Sequence, residues 1–180
     1  MGAPSPRKRK RKGQQPIKAA KAPDEWLAFR LRAVHHVVHD YAILSASGEL
    51  LRGPHKNPVN SLLQYTFLMS CRKFGTFFSN QGRTNEMLSN DFLSSPKSYD
   101  VPLWTQTWGK PMNRQLMHLS FERVDGSKEW DGNANEPLLQ QFRTAWRTFL
   151  TEIEEPFFSE FARQIAAKKA DSQGEYCRFV

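Results

Sequence analysis

Between Val59 and Phe78 the apolar and small side chains return at intervals of three and four: Val59, Leu62, Leu63, Thr66, Phe67, Ser70, Phe74, Phe77 and Phe78. That spacing gathers them on one stripe of an α-helix, and a stripe this aromatic has to be covered by other elements. Ser70 and Gly75 are small enough to let another helix close in. A chain organised around such a segment is expected to be a helical bundle.

The same period recurs on both sides. A first helix is expected from Pro23-Asp24-Glu25, where acidic groups suit the positive end of the helix dipole. Leu27, Leu31, Val34, Val38 and Tyr41 share one face of it, and Ser47-Gly48 is expected to end it. Gly53 to Pro58 reads as a loop, because two prolines and a glycine interrupt any regular ladder. A third helix is expected from Pro111 through Met112, Leu116, Leu119 and Arg123. A fourth takes Asn135 as its cap and Pro137 in its first turn, with Leu138, Phe142, Ala145, Trp146, Phe149, Leu150 and Ile153 on its core face. Pro156 kinks or restarts that helix, leaving Phe157, Phe158, Phe161 and Ile165 on a shorter terminal one. Residues 80 to 110 are rich in Ser, Asn and Pro but carry Phe92, Tyr99, Leu103, Trp104 and Trp108, so this connection is expected to pack over the bundle. A brief period of two around Asp100 to Trp104 is the one strand-like competitor. The expectation is an all-α, antiparallel four-helix-bundle-like domain over residues 24–170 with a kinked C-terminal helix extension. A disordered basic N-terminal tail (1–23) and a C-terminal tail (171–180) flank it.

A chain of 180 residues can bury such a core without a metal or disulfide staple. Its net charge of +8 is unevenly placed. Of the 26 basic side chains, eight fall in residues 1 to 22, which hold no acidic group, and the remaining eighteen face all 18 acidic ones. The folded body is therefore formally neutral. Arg7, Lys8, Arg9, Lys10, Arg11 and Lys12 form an unbroken run that can neutralise phosphates and release counterions, a salt-sensitive and sequence-independent attraction to RNA or DNA. An anionic membrane surface would attract the same run, and in a eukaryote it reads as a nuclear localisation signal. Two cysteines, Cys71 and Cys177, offer no disulfide framework, which fits a reducing compartment. No apolar run approaches the length of a signal peptide or a membrane span, so a cytoplasmic protein without a transmembrane segment is expected. The closing Cys177-Arg178-Phe179-Val180 fits a prenylation box poorly.

Three features could carry chemistry. His35, His36 and His39 lie within five residues, and His35 and His39 have the i, i+4 spacing of a helical metal pair. No cysteine or suitably placed glutamate accompanies them, so they read as exposed or partly packed histidines and no metal or other cofactor is expected. Arg114, His118 and Glu122 fall along one face of the expected third helix, each one turn from the next. Glu122 there could orient His118 and raise its proton affinity, giving a general acid or base beside a cation. The alternative is a Glu-His-Arg ladder on a solvated face. Arg72, in the middle of the aromatic helix, could approach His118 or Glu122 if the second and third helices pack together. Otherwise it is a surface arginine opposite the Phe stripe.

From Ser61 to Ile153 the chain resembles a type of small, uncharacterised bacterial helical protein. An aromatic helix with a central arginine (Cys71-Arg72-Lys73-Phe74 to Phe78) precedes Asp91-Phe92 and Trp104. An Asn-x-x-Leu-x-His-Leu-x-aromatic-x-Arg helix (Asn113 to Arg123) and a Trp-started final helix (Trp130 to Leu150) follow. More distantly, the chain is similar to the HEPN superfamily of helical bundles. Many of those are metal-independent ribonucleases whose Arg-x(4–6)-His motif meets its copy across a dimer interface. That resemblance implies a homodimeric ribonuclease of toxin or defence type without cofactor, with His118 as base and Arg114, Arg72 or Arg123 as its cationic partner. Arg114 and His118 are separated by three residues, not four to six, whereas Arg30 and His35 satisfy the spacing. The alternative from the residues themselves is a non-catalytic, dimeric interaction module whose body binds a protein partner while the basic tail contacts a polyanion.

Overall fold

In a computed structural model the described residues are 22–54, 59–82, 86–110 and 132–171. They form an all-α fold with no strand among them. Four α-helices make the bundle: α1 (Pro23–Leu50), α2 (Val59–Ser79), α3 (Asn135–Glu152) and α4 (Phe157–Asp171). Short 3-10 turns at Ser89–Phe92 and Gly132–Ala134 and a π-helical stretch at Leu103–Trp108 lie between α2 and α3. The expected third helix at 111–123 lies outside the described residues, as do the basic tail and the C-terminal tail beyond Asp171.

Side-chain contacts fix the helix directions. Tyr41 packs on Phe74, while Gly48 faces Phe67, so α1 and α2 are antiparallel. Tyr41 also stacks on Trp146 at 4.1 Å, and Gly48 faces Leu139, which makes α3 antiparallel to α1 as well. In α2 and α3, Gln64 bonds Asn135 and Phe77 meets Phe149, so these two run parallel. The fourth helix runs with α1, since Arg30 lies over Phe157 and His35 meets Gln164.

Val34, Val38, Phe67, Phe78, Phe142, Phe149 and Phe161 are essentially without solvent exposure. Phe149 is the hub, with ring centroids 5.3 Å from Phe77 and 5.5 Å from Phe161, both close to edge-on. Such pairs add about 0.5–1.5 kcal/mol each beyond the area they bury. The connection after α2 supplies a lid to this core through Phe92, Tyr99, Val101 and Trp104, all buried. Asn80 is its anchor. With φ of 55° it adopts the left-handed conformation that ends α2, and its amide bonds Ser89 and the Lys97 carbonyl while accepting from the Asn90 N–H.

Several expectations are corrected. The first helix runs through Gly48 to Leu50: Gly48 does not terminate it but admits Leu139 and Phe67, whose atoms would lie 2.9 and 3.0 Å from a Cβ. Gly75 is small for a comparable reason, though its visitor is the Trp104 indole and not another helix. Ala134, not Asn135, stands at the N-cap of α3, and the Asn135 amide instead exchanges two hydrogen bonds with Gln64 (2.9 and 3.1 Å). The alternation around Asp100 to Trp104 does not give a strand. Val101, Trp104 and Trp108 follow the helical period, and Leu103 N–H bonds the Gln141 side chain. The first two turns of α2 leave the core, with Val59 at 50% and Leu62 at 66% exposure. Pro156 separates α4 from α3 completely, and α4 lies against α1 with Phe157 and Phe161 buried, so it is a full member of the bundle and not an extension of α3.

Candidate functional site

One face of α1 and one of α2 do not close on each other completely. Ala33, His36, Val37 and Asp40 recur every three or four residues on α1, and Met69, Arg72, Lys73 and Thr76 do so on α2. Between them, with Glu86 and Met87 across one end, lies a groove of about 430 Å³. Its floor is apolar: Val37, Met69, Phe74, Phe77 and Met87. The Phe74 and Phe77 rings that line it also pack edge-on against Tyr41 and Phe149 in the core.

The rim carries the charge. Lys73 Nζ donates to Asp40 Oδ2 at 2.9 Å, an exposed pair that neutralises both groups and contributes little stability. Glu86 has a partner of its own. Arg72 is half-buried and makes no hydrogen bond or ion pair with a described residue. His36 is exposed at the same rim and touches the His35 ring edge-on.

Of the expected catalytic residues, the structure thus places Arg72, and places it in a groove; it is not the arginine of an open surface. Arg114, His118, Glu122 and Arg123 lie outside the described residues, as does the run Arg7 to Lys12. His35 and His39 stack at 6.3 Å on the outside of α1, and His35 Nδ1 lies 3.1 Å from Gln164 Oε1, where it helps to seat α4. All three histidines of α1 are exposed, and among the described residues no group of three or more His, Cys, Asp or Glu could hold a metal ion. Arg30, the arginine with the correct spacing to His35, points elsewhere: it donates to the Asp91 carbonyl at 2.6 Å and lies over Phe157. Cys71 lies on the buried face of α2, and burial pushes its thiol well above the ordinary range.

Sequence reading singled out Arg72 and His36 separately and did not join them. Asp40, Met69, Glu86 and Met87 were missed altogether. A signal existed in the paired i, i+3, i+4 rows of 33, 36, 37, 40 and 69, 72, 73, 76, which carry mixed polar and apolar residues beside each helix's core stripe.

Several other charges of the bundle are paired. Arg143 pairs with Glu49 at 2.5 Å and donates to Ser45, and Arg52 bonds Glu49 and Glu136, tying the end of α1 to the start of α3. Arg52 beside Glu136 holds that carboxyl below its ordinary value. Lys97 and then the Tyr99 hydroxyl do the same for Glu152, and Arg163 for Glu160. No helix among the described residues is long and apolar enough to cross a membrane.

The chain matches no family model, no curated protein and no solved structure.

Proposed function

We propose that the chain is a helical interaction module in which residues 1 to 22 contact RNA or DNA and the bundle engages a protein partner, in the first instance a second copy of itself. The observation that carries this is the confinement of all net charge to those 22 residues. The ion pairs of the bundle support it: Arg52, Lys73, Lys97, Arg143 and Arg163 each face a carboxylate, and beyond residue 22 the sequence carries as many acidic as basic side chains. A polyanion is then held by counterion release at Arg7 to Lys12, without sequence preference. The partner's surface is the apolar end of the bundle at Leu50, Val59, Leu62 and Tyr65, each 41% exposed or more. A reducing, cytoplasmic setting suits the free, buried Cys71.

Deleting residues 1 to 22 tests the division of labour. Fluorescence anisotropy with a labelled single-stranded RNA should show binding by the full chain and none by the truncated one, with unchanged melting. Undiminished binding by the truncated protein rejects it.

A second reading, the metal-independent ribonuclease, is favoured by one observation. Arg114, His118 and Glu122 recur at intervals of four in the sequence, the spacing that puts three side chains on one face of a helix. In this reading His118 takes the proton of a ribose 2′-hydroxyl as its oxygen attacks the adjacent phosphate. The P–O5′ bond breaks to leave a 2′,3′-cyclic phosphate, the departing 5′-oxygen takes a proton from water, and Arg114 or Arg72 balances the charge that develops on the phosphate. Incubating purified protein with RNA in chelator distinguishes the two readings. Cleavage lost in both His118→Ala and Arg72→Ala supports the nuclease; no cleavage of any RNA supports the module.

A further inference from the structure

We infer that the groove between α1 and α2 is a binding site for a small amphipathic anion, a carboxylate carried on an aromatic or short aliphatic body. The site does not involve the basic segment; it shares Arg72 with the ribonuclease reading but does not rest on that reading. Its volume of about 430 Å³ falls within the range of small-molecule pockets, roughly 300–1,000 Å³. The shape and chemistry are divided along its length. Phe74, Phe77 and Val37 give it an apolar floor, and Met69 and Met87 are unbranched side chains that adjust to the outline of a ligand.

The polar groups determine the sign of the ligand's charge. Asp40 would repel an anion, but Lys73 already neutralises it. Glu86 is engaged in a contact of its own. Arg72 is the rim cation without a partner among the described residues, and its planar fork matches a carboxylate with two parallel N–H···O bonds. The His36 imidazole, on the same rim, offers an additional N–H. A neutral ligand would leave the half-buried guanidinium uncompensated, and a cation would meet it unfavourably. An anion with an apolar body satisfies both the floor and the rim.

The test uses the full chain and two probes of one shape, 4-phenylbutyrate and 4-phenyl-1-butanol, titrated by calorimetry. Saturable binding of the carboxylate with one site per chain is expected. Arg72→Met keeps the apolar stem and removes the charge. It should weaken the carboxylate about tenfold or more and leave the alcohol within about twofold, the difference expected of a charge-assisted hydrogen bond. Should Arg72→Met not fold, Arg72→Gln gives the same comparison. Ala33→Trp, which fills the groove from α1, should abolish binding of both probes with the circular dichroism of the wild type. The inference is overturned if the wild-type chain binds neither probe saturably, if Arg72→Met binds the carboxylate as well as wild type, or if Ala33→Trp leaves both affinities intact. Equal loss of carboxylate and alcohol in a folded Arg72→Met overturns the assignment of the anion to Arg72.

Discussion

A methyl group added at Gly75 would overlap the indole of Trp104, a large ring held in place by the π-helical stretch around it. Gly75→Ala should therefore destabilise the bundle by about 1–3 kcal/mol despite a gain in helix propensity, lowering the melting temperature on the order of 5 °C. Gly48→Ala meets the end of the Leu139 side chain at 2.9 Å and the Phe67 ring at 3.0 Å, a milder overlap, and should change the melting temperature less. Glu152 gives a pH-dependent counterpart. Lys97 and the Tyr99 hydroxyl hold its carboxyl below the ordinary value of 4.5, so the folded state favours the charged form. Stability from this contact is complete above the unfolded value and is lost as pH falls through the lower folded one. Melting curves between about pH 5 and pH 3 should accordingly fall less steeply for Glu152→Gln than for wild type, and identical slopes would count against the contact. Single residues were the hardest features to read from sequence. Gly48 and Asn135 have the composition of helix-end signals, yet their roles come from Leu139 and Gln64, partners far away in the chain. Local propensity carries no trace of such partners.

At the scale of elements, α4 is the informative one. Its Phe161 is buried against Phe92, Trp146 and Phe149, so Phe161→Ala should cost about 3–5 kcal/mol in urea unfolding with a single transition. A cost under about 1 kcal/mol would make α4 a peripheral element and not a member of the core. The opposite holds for the first turns of α2. Leu62 and Tyr65 are exposed, and Leu62→Glu with Tyr65→Glu should convert a dimer to a monomer in sedimentation while leaving the melting temperature within about 2 °C. A monomeric wild-type chain would remove this surface from the account. Helix existence and core faces were legible because three-and-four spacing is a direct consequence of helix geometry, as at Val34, Val38 and Tyr41. Where an element ends in the middle of its own pattern, as at Val59 and Leu62, periodicity cannot tell core from surface. Around Val101 the two periods compete over five residues, and only Trp108, one turn further on, resolves them; Pro102 also lacks the N–H that a strand would need. The groove was illegible for a related reason: it is formed by the shoulders of two helices, and each shoulder alone looks like an ordinary mixed surface.

For the whole molecule, the separation of charge is the central claim. A bundle in which Arg52, Lys73, Lys97, Arg143 and Arg163 are met by carboxylates, and beyond residue 22 a sequence with as many acidic as basic side chains, is joined to a segment with eight basic groups and no acidic one. This was fully legible, because net charge is a property of composition and position and needs no fold. Its most direct test is the salt dependence of RNA binding. For the full chain, log of the binding constant against log of salt concentration should fall with a slope of about −4, the value for some six phosphates neutralised on a single strand. Removing residues 1 to 22 should flatten that slope to near zero, and a slope that survives the deletion would place the polyanion site on the bundle and contradict the account.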